Sequence, residues 1–238
     1  MCEHYVARAT EPFRLDELWS FTDRLERYGI AGFGWGAAWL TAEGSLSSYR
    51  DLRAFRDDPG REALGATETT AALVHLRRPS KLSTLGMADT QPFDDPAGRF
   101  SFSHNGDLRD TRTWRARYRS EGRIHGRADT EVGARWLEDR WDDAGGAGPA
   151  LHELHETFHG QANLSLLTAD GGASAYAGNT ENPVFTFRLG RIGLASTGIY
   201  SLDRSIFRYV APGATDRTLV RVGCSVTLKR NGGAVPAS

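Results

Sequence analysis

Residues 99–108 read RFSFSHNGDL, and they mark where the chain changes its period. Arg99 to His104 reads as a strand, Asn105-Gly106 carries turn chemistry, and helical spacing follows. Leu108 to Arg119 and Thr130 to Trp141 read as helices, the second with Val132, Trp136, Leu137 and Trp141 on one face. A third, shorter helix spans Leu151 to Phe158, and the Gly-rich stretch Asp142 to Pro149 before it reads as a loop. Upstream the segments are mainly strand-like: Cys2 to Arg8, Phe33 to Leu40 and Ala71 to Leu76. One helix from Leu15, with Leu18, Trp19, Thr22 and Leu25 at helical spacing, is closed by Gly29. Between Leu76 and Arg99 lies a Pro/Ser/Gly/Asp stretch without a period, read as loop. After the helices come strands at Ala162 to Thr168, Ala173 to Ala177, Val184 to Leu189, Ile192 to Ser196 and Thr218 to Leu228. Strands, then helices, then strands that can pair antiparallel predict an α+β protein with layered sheets, not an alternating βαβ fold.

The chain has 238 residues, 39% hydrophobic and 25% charged, ordinary for a globular protein with a core of its own. Neither a repeat nor a low-complexity linker divides it, so one domain over residues 1–238 is expected, with a disordered tail from about residue 230. Twenty-nine basic residues against 30 acidic ones give a net charge of -1, which excludes the general electrostatic footprint of a nucleic-acid binder. The longest apolar run, Gly32 to Leu40, is about half the roughly 18 residues that a membrane span needs. The first 13 residues lack the apolar core of a signal peptide. Two cysteines, Cys2 and Cys224, cannot form a disulfide framework, and a reducing cytoplasm is the expected setting.

Four segments carry candidate chemistry. Removal of Met1 would leave Cys2 with a free α-amine, whose unperturbed pKa of about 7.7–8.0 lets it act as a base toward its own thiol. Taken alone, Cys2 is more simply a small residue at a strand start. Arg77, at the end of the strand in VHLRRPS, is a fixed guanidinium suited to a carboxylate, with the Ser80 hydroxyl nearby; the simpler alternative is a surface arginine. Asn105 and Gly106 can aim a side-chain amide and a backbone N–H at one oxyanion, or merely make a hairpin turn. Asp129, in Ala128-Asp129-Thr130-Glu131, could hold an ammonium or simply cap a helix.

The order Cys2, HLRRPS, Gln91-Pro92-Phe93, His104-Asn105-Gly106-Asp107-Leu108 and Asp129-Thr130-Glu131 resembles that of class II glutamine amidotransferases. It is most similar to the stand-alone branch that includes the γ-glutamyl hydrolase of ergothioneine biosynthesis. The resemblance spans most of residues 1–180, with Asn163 and Asp170-Gly171 in the following strand and turn. It implies a four-layer αββα N-terminal-nucleophile hydrolase fold with two stacked, mainly antiparallel sheets. It also implies a cysteine amidohydrolase that cleaves a γ-glutamyl amide through a thioester, with no cofactor and no metal. On that resemblance Cys2 is the nucleophile, Asn105 and Gly106 form the oxyanion hole, and Arg77, with Ser80, clamps the glutamyl α-carboxylate. Asp129 anchors the α-ammonium. Arg78-Pro79 and Lys81 depart from the family's usual residues at the rim. The expected partner is a small γ-glutamyl substrate. A separate synthase subunit receiving ammonia is the alternative, and a ligand-binding relative without turnover is a third.

Other residues fit simpler roles. His152, His155 and His159 lack the order of a zinc motif and read as a helix face. The arginine-rich stretch Arg109 to Arg127 reads first as a solvated face and second as a dock for an anionic substrate tail or partner. Cys224 is expected in an alternating strand as a structural thiol.

Overall fold

The computed structural model describes residues 2–80, 82–230 and 233–237. The chain begins with β1 (Glu3–Arg14), α1 (Trp19–Gly29), β2 (Trp35–Leu40), β3 (Leu46–Asp51), α2 (Gly60–Gly65) and β4 (Glu68–Leu76). It continues with β5 (Phe93–Asp94), β6 (Phe100–Gly106), α3 (Arg112–Ser120), α4 (Asp129–Arg140) and α5 (Ala147–Phe158). It ends with β7 (Ala162–Thr168), β8 (Ala173–Tyr176), β9 (Val184–Leu189), β10 (Ile192–Thr197), α6 (Arg204–Val210), β11 (Thr215–Leu219), β12 (Ser225–Leu228) and β13 (Ala234–Ala237). The strands form two sheets, ordered β11-β9-β10-β1-β4-β2-β3 and β13-β12-β8-β7-β6-β5, antiparallel throughout.

Side-chain size along each strand sets the layering. In β1 and β4, Tyr5, Ala7, Val74 and Leu76 face outward and pack with Phe21 and Leu25 of α1 and Trp35 of β2. The alternate residues Val6, Ala71 and Leu73 face the second sheet, where they meet Leu167, Ala173, Ala175 and Val226. That inner layer is rich in alanine, so the sheets can approach closely, while the aromatic residues fill the outer layers. On the far side Phe100, Phe102, Leu164 and Leu166 pack beneath Tyr118 of α3, Val132 and Trp136 of α4, and Leu151 of α5. The result is the expected α+β, four-layer αββα architecture.

The structure also corrects several boundaries. β1 runs to Arg14, because Phe13 and Arg14 pair again with β4 beyond a register shift. Leu15–Leu18 is a 3-10 turn that leads into α1. α3 begins at Arg112, four residues later than expected, because the N–H groups of Asp107 to Thr111 are spent on bonds to Gln161, Asp129, Phe158 and Arg109. The strand expected over Thr218 to Leu228 is two strands in different sheets, separated by a turn that places Cys224 outside both. Within the tail, residues 234–237 form β13, an edge strand paired with β12, while residues 231, 232 and 238 lie outside the described residues. β3, α2 and α6 carry no period strong enough to announce them.

Candidate active site

Three strand ends converge at one edge of the sandwich. Glu3 lies opposite Leu76, so Cys2 sits beside the residues that follow β4. The Arg78 N–H donates to Cys2 Sγ at 3.4 Å, and the thiol lies 3.6 Å from the Arg78 carbonyl oxygen. Across the sandwich, the Asn105 side-chain amide donates to the Cys2 carbonyl oxygen. Deeper in, His4 Nδ1 and Ser103 Oγ, 2.9 Å apart, join β1 to β6 again.

Asn105 is oriented from behind. Asn163 stands directly opposite it on β7 and donates to Asn105 Oδ1 at 3.2 Å and to the Asn182 carbonyl at 2.8 Å. Asn163 Oδ1 in turn accepts the N–H groups of Gly178 and Asn179. With its oxygen so engaged, Asn105 presents its NH2 toward Cys2. Gly106 has φ 124°, and a Cβ there would fall 1.7 Å from the Gln161 carbonyl oxygen, so only glycine fits this strand exit.

Asp129 is the first residue of α4, where the helix dipole favours a carboxylate. Its Oδ2 accepts the Leu108 N–H at 2.8 Å, and its Oδ1 lies 3.9 Å from His104 Nδ1. Its side chain is 30% exposed, enough to meet a ligand. Arg77 is buried and donates to the Thr84 carbonyl, to the Gly86 carbonyl at 3.2 Å and to Thr90 Oγ1 at 2.9 Å. Cys2, Arg77, Ser80, Gly106 and Asp129 all line one cavity of about 470 Å³. The sixth residue singled out from the sequence, Asn105, is bonded to Cys2. Lys81 lies outside the described residues.

The same cavity wall holds residues that sequence reasoning missed. Asp89 accepts the Arg127 and Ala128 N–H groups at 2.5 and 2.6 Å and so sets the entry to α4. Gln91 bonds His104 through both backbone groups and Thr130 through its hydroxyl. Asp89 lies in the stretch without a period, where nothing marks it above other polar residues, while Gln91 belongs to the Gln91-Pro92-Phe93 segment without a role assigned to it. Arg115 and Arg127 also line the cavity.

Burial pushes the Cys2 thiol above its ordinary value, against the pull of the Arg78 N–H and the Arg77 charge. The adjacent Glu3 is fully buried and accepts bonds from Thr197 Oγ1 and from Asn182 Nδ2 at 3.2 Å. Desolvation raises its carboxyl to about 7. Burial pushes His4 down to about 3 and holds His75 and His104 below the usual imidazole value as well.

The remaining candidates have structural employment. His155 meets Tyr176 Oη at 3.1 Å and the Gly160 carbonyl at 3.2 Å, while His152 faces Glu156. Among the described residues no group of three or more His, Cys, Asp or Glu is placed to hold a metal. Arg109, Arg117 and Arg123 are ion-paired to Asp107, Glu121, Glu138 and Asp139 at the surface. A mainly apolar cavity of about 620 Å³ lies between the β9–β11 and β12–β13 edges, remote from this chemistry. No helix among the described residues is long and apolar enough to cross a membrane.

No protein-family model and no curated protein matches the chain. Solved structures do. A glutamine phosphoribosylpyrophosphate amidotransferase from B. subtilis, complexed with ADP and GMP, matches with a TM-score of 0.73 and 16% identity over 99% of this chain and 49% of its own. A structure described as the allosteric regulatory enzyme of purine biosynthesis matches with the same TM-score and identity, over 99% of this chain and 48% of its own. The chain thus spans about half the length of each. A glutamine aminotransferase class-II domain protein from Silicibacter pomeroyi matches at TM-score 0.59 and 18% identity, over 98% of both chains. These likenesses show an N-terminal-nucleophile hydrolase fold.

Proposed function

We propose that the chain, as a single glutamine amidotransferase-like domain in the cytoplasm, is a cysteine amidohydrolase acting on γ-glutamyl amides. The observation that carries this reading is the convergence of Cys2, Gly106, Arg77, Ser80 and Asp129 on one cavity from four separate parts of the chain, with Asn105 bonded to Cys2. The fold, shared with a glutamine phosphoribosylpyrophosphate amidotransferase and a glutamine aminotransferase class-II domain protein, supports it as an analogy.

The chemistry follows from the local electrostatics. With the thiol raised by burial, a base must take its proton at neutral pH. Removal of Met1 supplies one in the Cys2 α-amine, whose neutral form is well populated there. The sulfur adds to the γ-carbonyl carbon, and the oxyanion takes hydrogen bonds from the Asn105 amide and the Gly106 side of the turn. Collapse breaks the C–N bond, and the α-ammonium returns its proton to the departing amine. Water then adds to the thioester with the α-amine again as base, releasing glutamate and restoring the thiol. The charges of the glutamyl head fall between Asp129 and the arginines of the wall, Arg77 first among them from the sequence pattern.

The test is glutamate release from glutamine and a panel of γ-glutamyl amides, with Cys2→Ala beside the native chain. We expect release from at least one substrate, none from a folded Cys2→Ala protein, and Met1 absent by intact mass. Turnover that persists in Cys2→Ala would sink the assignment. The likeness to an amidotransferase of about twice this length favours one second reading, a glutaminase that passes ammonia to a synthase partner. Glutamine hydrolysis that rises only with a co-purified partner would select it.

A further inference from the structure

Arg204 and Arg208 stand one turn apart on α6, and Arg217 reaches the same place from β11. All three line a cavity of about 240 Å³, with Phe207 and Ala214, over the outer layer of the first sheet. Like charges at this helical spacing repel, and a third cation beside them adds to the cost. Among the described residues, the side chains of Arg204 and Arg208 make no ion pair and no hydrogen bond. Asp203, the adjacent carboxylate, is spent on capping α6, where its Oδ1 accepts the Ser205 and Ile206 N–H groups at 2.6 and 3.4 Å.

Arg217 is fixed in place by the protein itself. Its Cζ lies 4.0 Å from the centroid of the Phe185 ring and 4.7 Å from that of Phe207, and its Nη2 donates to the Leu202 carbonyl at 3.1 Å. Nε is enclosed without an acceptor, whereas Nη1 has no partner and is not enclosed. Burial, and then the Arg204 charge, lower the Arg217 pKa, with Asp203 opposing them. A guanidinium already held in one orientation loses little freedom on binding, and its planar fork suits phosphate geometry.

Size and charge select the ligand. The cavity is smaller than the roughly 300 Å³ at which pockets for whole drug-sized molecules begin, so it takes a small group. Three cations exceed what one carboxylate can balance, whereas a phosphoryl group brings up to two charges and three acceptor oxygens. We propose that Arg204, Arg208 and Arg217 form a binding site for a phosphoryl dianion, either inorganic phosphate or the phosphate of a monoester. This cavity shares no lining residue with that of Cys2, so the site stands apart from the chemistry there.

The experiment is calorimetric titration with inorganic phosphate, methyl phosphate and acetate at constant ionic strength and about pH 7.5, where a phosphate is mainly doubly charged. At least one of the two phosphates should bind saturably to the native chain, and acetate should not. Tighter binding of methyl phosphate identifies a monoester as the ligand, and tighter binding of phosphate the free anion. The double variant Arg204→Gln/Arg208→Gln, altered only at exposed positions, should weaken binding about 10- to 100-fold, as the loss of charge-assisted bonds does. Arg217→Gln should do the same, while Arg119→Gln, at an exposed arginine of α3, should leave it unchanged. Native protein that binds neither phosphate, or binds acetate equally, would overturn the assignment. So would undiminished binding in the double variant or an equal loss in Arg119→Gln.

Discussion

The backbone N–H of Arg78 donates to the sulfur of Cys2, 76 residues away in the sequence, at 3.4 Å. The bond places a nucleophile candidate at the terminus of β1 under the control of the next strand's backbone rather than of its own flexible end. A thiol or thiolate there keeps its position while the base beside it gains and loses a proton, which is what a two-step acyl transfer requires.

Asn105 reaches the site from the other sheet, and its amide is aimed by Asn163. Asn105→Ala should lower kcat for glutamate release by about 10²- to 10³-fold, the usual cost of removing one oxyanion donor. Steady-state kinetics on the best γ-glutamyl substrate checks this. An unchanged kcat would take Asn105 out of the oxyanion role and leave it as a tie to the Cys2 backbone.

Gly106 has no room for a side chain, since a Cβ would strike the Gln161 carbonyl at 1.7 Å while φ stays at 124°. Gly106→Ala should therefore cost roughly 2–5 kcal/mol of stability, in the range of strained backbone and overpacking combined. Denaturant melts read it directly. A cost below about 1 kcal/mol would show that the β6–β7 exit relaxes easily.

Acid should destabilise the fold through its buried histidines. His4, His75 and His104 stay neutral in the native state below the ordinary imidazole pKa, whereas the unfolded chain protonates them. Stability then rises with pH across a window from about 4.5 to 6.5. Glu3, protonated in the native state and ionised in the unfolded one over that window, opposes this by one proton. The net is up to two protons, a slope of about 3 kcal/mol per pH unit. His4→Gln can keep the bond to Ser103 without titrating, and the slope in denaturant melts between pH 4.5 and 6.5 should flatten by one proton.

Glu3→Gln should show the opposite sign. Because its carboxyl is raised to about 7, native Glu3 loses stability as pH climbs from about 4.5 to 7, and a neutral glutamine does not. The difference in Tm, variant minus native, should grow between pH 5 and pH 8 and level off above. An equal difference at both values would mean that Glu3 is ionised throughout.

The layered α+β architecture was legible in sequence because sheet and helix periods are local. The helix at 130–141 is marked by Val132, Trp136 and Leu137 on one face, and all three are buried in the layer over the second sheet. β3 escaped because all six of its residues are half-buried, with no alternation to read. The fused reading of 218–228 failed because a turn at Val222-Gly223 sends similar residues to different sheets, a long-range choice. In the site, residue types and order were readable for Cys2, Arg77, Asn105, Gly106 and Asp129. Arg115 and Arg127, which line the cavity, are two of seven arginines between 109 and 127, with nothing local to distinguish them.

Local sequence sets which chemical groups the chain owns, and the strand-helix-strand order that lets two sheets stack. Both are properties of neighbouring residues. Tertiary structure alone decided that the ends of β1, β4 and β6 meet at one edge with the start of α4. It also decided that burial raises the Cys2 thiol and the Glu3 carboxyl. Desolvation and hydrogen-bond partnership depend on what packs around a group in space, and that is set by contacts between residues far apart in the chain.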